Sequence, residues 1–429
     1  MLIFIGCVFG VLLVVGLPIA FVMGLTTVFT FIYIGNPTLY NLVPQRMFAG
    51  MGNFLFVAIP FFVMAGEIMT VGGITRDLIN FCNLFVGRLR GGLAHIVITS
   101  SIFLSGISGS AASDAASIGS IMIPAMTEEG YDLDFSAAVT SAASVLGPII
   151  PPSIIMIIYA SLMDVSVAAL FIAGYLPGII IGIFLMIMAY IISRRRKYPI
   201  HKERVTFNKA LRVTIAALPA LMLPFIIIVG IVSGAFTPTE ASVVAAAYAL
   251  VLSLLKKNLS VRDITRIVSK SMKISSLILF LIGTGIALGW ILTFEQIPQK
   301  IATLLLSVVG GNPIAVLFMI FIILTLAGMF LDTAVSIIVL GPLLLNTAVA
   351  VGLHPLHFAL IMVMTLCVGL ITPPLGLSLF VVCGITNLKL EVLTKATIPF
   401  IIVESIAILI VIYFPSLTMF VPKMFGYYP

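Results

Sequence analysis

The chain has 429 residues, 61% of them hydrophobic and 9% charged, with a net charge of +7. So large an apolar excess excludes a soluble domain, and long unbroken apolar runs in place of short alternating strands exclude a β-barrel. What remains is an all-α polytopic membrane protein in a lipid bilayer. Its basic residues gather in loops and read as topology signals, so no nucleic-acid partner is expected.

The N-terminus lacks a basic stretch followed by a small-residue cleavage site, so residues 2–34 are expected to remain as membrane helix. They are too long for one ordinary span and short for two, and Gly16-Leu17-Pro18 marks where a second helix can begin. A span follows at 52–71, and "RLR" (88–90) places the next loop on the cytoplasmic side. Segment 93–126, about 34 residues, is midway between one span and two, which suits a re-entrant hairpin. Its centre, "SGISGSAASD" (105–114), is polar at membrane depth, where backbone survives only under cover of protein or a wet cavity. Asp114 is the only acid or base of that hairpin, histidine aside. Its burial cost makes it a functional candidate, and capping the second helix is the competing role.

Segment 135–163 is interrupted by Pro151-Pro152, and the span 166–193 ends in "RRRKYPIHKER" (194–204), the strongest cytoplasmic signal. Spans are expected at 213–233 and 238–255, the latter opened by "FTPTEA" (236–241). There Thr237, Pro238 and Glu240 form a capping box, so Glu240 reads as a cap and not as a proton carrier. The basic segment 256–273 carries Val261, Ile264, Ile267, Val268 and Met272 at helical spacing, which predicts a cytoplasmic helix along the inner membrane surface. After a span at 274–294, a second hairpin is expected over 314–347, turning at "LAGMFLDTAVS" (326–336) with Asp332 as its lone acid. Segment 356–385 is broken by Pro373-Pro374. Segment 396–415 carries one charge, Glu404, for which a structural hydrogen bond and a role in transport both stand open.

Other features are expected to be inert. His354 and His357 have no carboxylate near them and do not read as metal ligands, and the scattered methionines read as packing. Four cysteines in apolar context, without CxxC spacing, predict neither a disulfide nor a zinc site. With no P-loop and no nucleophile–base set, no nucleotide is expected and the chain does not read as an enzyme.

An internal repeat organises these segments. "AGEIMTVGGI" (65–74) aligns with "LGWILTFEQI" (288–297), and Gly91-Gly92 with Gly310-Gly311. Asp114 aligns with Asp332, each ten residues before a proline, and "GPIIPP" (147–152) with "GLITPP" (369–374), all at an offset of about 220 residues. The chain therefore reads as two repeats, 1–200 and 201–429. Counting spans between the cytoplasmic segments places the start of the second copy outside, so the halves are inverted through the membrane plane, as in many secondary transporters. At each break the paired prolines free carbonyls near 147–150 and 369–372, and Thr372 adds a hydroxyl. Such oxygens suit a hard monovalent cation, while the following half-helix aims its positive end at an anion. A Na+ at each break with an anionic substrate between them follows; kinks that serve packing alone are the competing reading.

"SGSAASDAASIGSIMIPAM" (108–126), "GPIIPPS" (147–153), "GAFTPTEASV" (234–243) and "GLITPPLG" (369–376), in this order, resemble the large membrane subunit of the TRAP (tripartite ATP-independent periplasmic) transporters. The likeness covers essentially the whole chain. It implies a Na+-driven importer of organic acids in a bacterial inner membrane, supplied by a periplasmic substrate-binding protein. A small membrane subunit is also implied, as a separate chain because this one starts at the large subunit's first segment. The resemblance further implies an elevator, in which hairpins and broken helices move as one body against a scaffold including 256–273 and its counterpart near 38–49. Carried over by motif, the first Na+ site falls on Ser105, Ser108, Gly147 and Ile150. The second falls on Gly328, Gly369, Thr372 and Leu375, where the hairpin departs from the first in offering few hydroxyls. Substrate contacts fall on Ser110, Ser153 and Asp332, with Asp114 beside them. C4-dicarboxylates and sialic acids both fit, and the serine-rich site leans toward a polyhydroxylated acid. A proton-coupled carboxylate transporter using Asp114 or Asp332, and an anion channel, are the alternative readings.

Overall fold

The computed structural model describes residues 1–35, 40–200, 206–309 and 312–427, with the side chains of 308 and 309 left aside. The described residues form α-helices joined by short turns, and eight helical segments are long and apolar enough to cross a membrane. Residues 2–34 resolve into two helices, α1 (Leu2–Val14) and α2 (Ile19–Ile34), parted at the Gly16-Leu17-Pro18 turn. Next come α3 (Leu42–Met51), α4 (Ala58–Val71) and α5 (Ile74–Val86). The first hairpin is α6 (Gly92–Ser108) with α7 (Ala111–Glu128), and the first broken helix is α8 (Leu133–Ser144) with α9 (Ile154–Met163). Three long helices follow, α10 (Val167–Arg195), α11 (Phe207–Val232) and α12 (Pro238–Leu255).

The order then repeats: α13 (Val261–Phe294), α14 (Ile297–Val309), a hairpin of α15 (Pro313–Phe330) and α16 (Thr333–Ala350), and a broken helix of α17 (Pro355–Gly369) and α18 (Leu377–Thr386). The chain closes with α19 (Leu390–Tyr413) and α20 (Ser416–Met424). Of the aligned glycine pairs, Gly310-Gly311 lie outside the described residues.

Helices α8 and α17 form the centre. Residues 135–144 and 356–369 are buried throughout, and the Ala- and Ser-rich surface of α8 lets α6, α7 and α19 approach closely. Beyond each break the chain crosses to the other half: α9 packs on α16, and α18 packs on α7 and α8. A buried hydrogen bond, Ser144 Oγ to Ser378 Oγ at 3.1 Å, ties the two broken helices together. A second group, α2, α3 and α4, packs around α13, with α12 on α4 and α11 on α5 and α12.

The expected surface helix over 256–273 is not a separate element. Lys256 caps the end of α12, and a capping box of Ser260 and Asp263 starts α13, which runs unbroken for 34 residues. No proline or glycine lies between 261 and 282 to interrupt it. At 1.5 Å per residue α13 is about 51 Å long, well beyond the ~30 Å of a bilayer core. Its apolar positions Ile264, Ile267 and Val268 face Met64, Ile68 and Val243 of α4 and α12 across an apolar cavity of about 230 Å³. Protein thus covers Ile264 and Ile267 of the expected apolar face, while Val261, Val268 and Met272 remain exposed. The proposed counterpart near 38–49 is α3, docked on α13, with 38 and 39 outside the described residues.

Loop charges fasten the ends. Arg196 reaches Asp132 at 2.9 Å and Asp134 at 2.8 Å, while the Tyr198 hydroxyl donates to Asp132 at 2.7 Å, closing the α7–α8 turn onto the end of α10. The Tyr198 hydroxyl and the Arg196 guanidinium hold the Asp132 carboxyl below its ordinary range. Residues 201–204 of that basic segment lie outside the described residues. Thr237 and Glu240 form the expected capping box at the start of α12. His354 caps α17, and His357 Nδ1 lies 2.8 Å from Thr418 Oγ1. Glu404 is buried in α19 with no hydrogen-bond partner for either oxygen among the described residues.

Candidate functional site

The first hairpin turns at Gly109, whose positive φ of 59° favours glycine. A Cβ there would stand 2.9 Å from the carbonyl oxygen of Pro152 and 3.1 Å from the amide of Ile154. The hairpin tip is therefore seated directly on the backbone of the first break. Residues 147–153 are all buried, and the Pro151-Pro152 bond is cis, as is Pro373-Pro374 in the second break.

Asp114 sits in the first turn of α7 and is buried. Ser108 Oγ donates to its Oδ1, and Ser105 Oγ lies 3.2 Å from its Oδ2. Gly147 closes the same pocket, since a Cβ on it would meet Asp114 Oδ2 at 2.8 Å. Among the described residues no hydrogen bond ends on the carbonyl oxygens of Gly147 or Ile150. A hydroxyl that donates its proton to a carboxylate keeps its lone pairs, so Ser105 and Ser108 still offer acceptor oxygens. Oxygen donors with one carboxylate, walled from water, are the set a hard monovalent cation takes. Asp114 thus stands with Ser105, Ser108 and Gly147, while the Ile150 side chain lines a different cavity with Gly106 and Tyr175; Asp114 is not among the residues lining the cavity described below.

The second break is built differently. Gly369 lies against Gly328, where a Cβ would stand 2.3 Å from the Gly328 carbonyl carbon, and the Leu375 amide donates to the Met329 carbonyl at 3.3 Å. Those contacts lace hairpin and break together without an acid. The Thr372 hydroxyl donates to the Val368 carbonyl at 2.7 Å, and Leu375 is 47% exposed. Asp332 does not mirror Asp114. It is the N-cap of α16, its Oδ1 accepting from the Ala334 amide at 2.8 Å. Capping, the role that competed with a functional one for Asp114, is taken in the second hairpin by Asp332.

Between these breaks lies a cavity of about 190 Å³, lined by 108–113 of the first hairpin tip, 332–334 of the second, Pro148, Leu370, and α4 and α13. Residues 154–155 of α9 and 377–378 of α18 complete it, so four helices, α7, α9, α16 and α18, open their first turns onto one space. Their converging positive ends suit an anion. Each of α7 and α16 has one carboxylate at its start: Asp332 caps α16, while α7 receives no side-chain cap and carries Asp114 in its first turn. Ser110 and Asp332 line the cavity as expected sites, while Ser153 does not. As N-cap of α9, the Ser153 hydroxyl accepts from the Met156 amide at 3.2 Å and donates to the Pro148 carbonyl at 2.6 Å. The first residue after a break is where a cap is needed, and the hydroxyl is spent there.

Ser153→Ala is accordingly expected to lower stability by about 1–3 kcal/mol, through the lost cap and the orphaned carbonyl. Thermal unfolding in detergent checks this. A fall in substrate affinity at unchanged stability would instead make Ser153 a substrate contact. Among the polar cavity residues not expected from the sequence are Ser113, Ser378, and Glu67 of α4, whose Oε1 lies 2.6 Å from Lys270 Nζ. Glu67 is the only charge in the apolar segment 52–71, the same signal that marks Glu404 in its own segment.

Two solved structures share this fold. The YdaH transporter of Alcanivorax borkumensis superposes with a TM-score of 0.63 at 12% identity, covering 91% of this chain and 88% of that one. MtrF of Neisseria gonorrhoeae gives 0.58 at 13%, covering 87% and 83%. Among curated relatives, the uncharacterised protein YgiK of Salmonella typhimurium is 39% identical over 97% of this chain and 96% of its own. The sialic acid TRAP transporter large permease SiaM of Vibrio cholerae is 35% identical over 99% of both chains. The C4-dicarboxylate TRAP transporter large permease DctM of Pseudomonas aeruginosa is 36% identical over 94% of both. Residues 6–417 match the family described as the tripartite ATP-independent periplasmic transporter, DctM component. The chain belongs to that family of transport permeases.

Proposed function

We propose that this chain is the large permease of a Na+-coupled uptake system for an organic acid anion in a bacterial inner membrane. A periplasmic substrate-binding protein would deliver the anion, and a small membrane subunit would complete the permease. The observation that carries this reading is the convergence of four helix N-termini on one cavity between two broken helices. Ser110, Ser113 and Ser378 line it, the last with its hydroxyl accepting from Ser144, and this serine-rich wall favours a polyhydroxylated acid of the sialic acid type over a plain C4-dicarboxylate. Similarity does not separate the two, because relatives named for each stand at 35% and 36% identity.

In this reading Ser105, Ser108, Gly147 and Ile150 hold the first Na+, with Asp114 as counter-charge, and Gly328, Gly369, Thr372 and Leu375 hold the second. Bound Na+ supplies positive charge beside the α7 end and cross-links hairpin tip to break. The residues then do three things. Ser110 and the α7 amides hold the carboxylate, Asp332 accepts from a substrate hydroxyl, and the buried break excludes water from the cation pocket. The repeating element order supports two inverted repeats, 1–200 and 201–429. The packing of α6–α9 with α15–α19 supports an elevator body moving against α4 and α13.

The test is uptake into liposomes holding the complete permease, supplied with the loaded binding protein. Accumulation of N-acetylneuraminate or succinate only under an inward Na+ gradient is expected. Accumulation driven equally by a proton gradient would overturn Na+ coupling, and flux without either gradient or binding protein would make the chain a channel.

A further inference from the structure

The charged residues lining the cavity are both acids, Glu67 and Asp332, and no lysine or arginine stands among them. Two carboxylates are the wrong balance for an anion site unless each is answered. Asp332 is answered by the amides of its own helix. Among the described residues Glu67 is answered by Lys270 alone, at 2.6 Å, with side chains 13% and 57% exposed respectively.

Lys270 is placed to do more than neutralise. It precedes Ile274, Ile278 and Leu281, the cavity-lining stripe of α13, at steps of four, four and three residues, so it continues that face by one turn. An ammonium has three N–H donors and Glu67 Oε1 takes one, leaving two for another acceptor. The pair also lies at the seam between α4 and the first hairpin. A Cβ on Gly66 would stand 3.2 Å from the Cα of Ser108, and Thr70 Oγ1 lies 3.0 Å from Ser117 Oγ. Glu67 and the hairpin tip, 108–113, therefore wall the same cavity.

We propose that Lys270 is the cation through which the cavity recognises a carboxylate, with Glu67 as its resting partner. When the cavity fills, the ammonium is shared between Glu67 and the carboxylate of the organic acid; when it empties, Glu67 holds the ammonium in reach and keeps the wall neutral. Glu67 alone would repel the anion, so the two act as one device. This rests on the uptake reading above and names the charge that selects its substrate class.

The test measures KM and Vmax in the complete reconstituted permease for whichever of N-acetylneuraminate or succinate the wild type accumulates, in K270M, E67Q and the double variant. K270M removes the charge, keeps the stem, and leaves Glu67 bare; KM should rise on the order of tenfold or more. E67Q frees the ammonium and should lower KM. The double variant removes attraction and repulsion together, and its KM should fall between wild type and K270M. Unchanged KM in K270M, or a double variant no better than K270M, would overturn the proposal. Should K270M fail to fold by thermal unfolding, K270R and E67Q decide: a raised KM in E67Q overturns it and a lowered one supports it. A wild type that accumulates neither acid would instead be the failure of the uptake reading.

Discussion

Asp114→Ala is expected to reduce organic-acid uptake by about a hundredfold and to flatten its response to Na+, because the proposed cation shell loses its one carboxylate. The carboxylate accepts from Ser108 and lies 3.2 Å from Ser105 Oγ, inside a tip closed by Gly147. Removing it strands the buried Ser108 hydroxyl, since Ser105 keeps the Ser101 carbonyl as acceptor, and leaves the proposed cation with neutral oxygens only. Breaking a buried ionic arrangement from one side typically costs about 3–5 kcal/mol, enough for the predicted loss. Asp114→Asn separates the two effects. It keeps volume and one acceptor, so the fold should persist, while the Na+ concentration for half-maximal uptake should rise more than tenfold. Titrating uptake against Na+ in liposomes reads this directly. An Asn variant with the wild-type Na+ curve would remove Asp114 from the cation site.

The two breaks were legible because Pro-Pro inside an apolar run has few structural uses, and the first hairpin because Ser, Gly and Ala crowd its centre. Helices α5 and α14 were not. Each is 13 residues long, and in α5 Arg76 and Asp77 interrupt the hydropathy that marks a span. The change of polarity near 273 looked like a helix boundary, but backbone stops at caps, glycines and prolines rather than at a change of solvent, so α13 runs through it. The acids show the limit most sharply. Asp114 and Asp332 each stand ten residues before a proline. Helix α7 nevertheless starts three residues before Asp114, and α16 starts one residue after Asp332. That offset turns one acid inward to the serines and makes the other a cap. Side-chain spacing cannot reveal it, because where a helix begins depends on which residue the turn must satisfy.

Gly369→Ala should be the most damaging single methyl group in the second half, lowering stability by about 3 kcal/mol and abolishing uptake. The added Cβ would stand 2.3 Å from the carbonyl carbon of Gly328, 2.4 Å from its oxygen and 2.5 Å from its Cα. All three are backbone atoms, so no rotamer relieves the clash and the hairpin must move away from the break. The movement would pull on the Leu375 amide, which donates to Met329, and separate the oxygens proposed for the second cation. Gly384→Ala provides the contrast within the same broken helix. Nothing lies within 4 Å of its Cβ, so the substitution should stabilise α18 by up to about 1 kcal/mol through helix propensity. Thermal unfolding of both variants in detergent, with uptake alongside, makes the comparison. If Gly369→Ala unfolds and transports like wild type, hairpin and break are not held in contact there. The residues Gly328, Gly369, Thr372 and Leu375 would then have no common geometry in which to share an ion, and coupling would rest on the pocket around Asp114 alone.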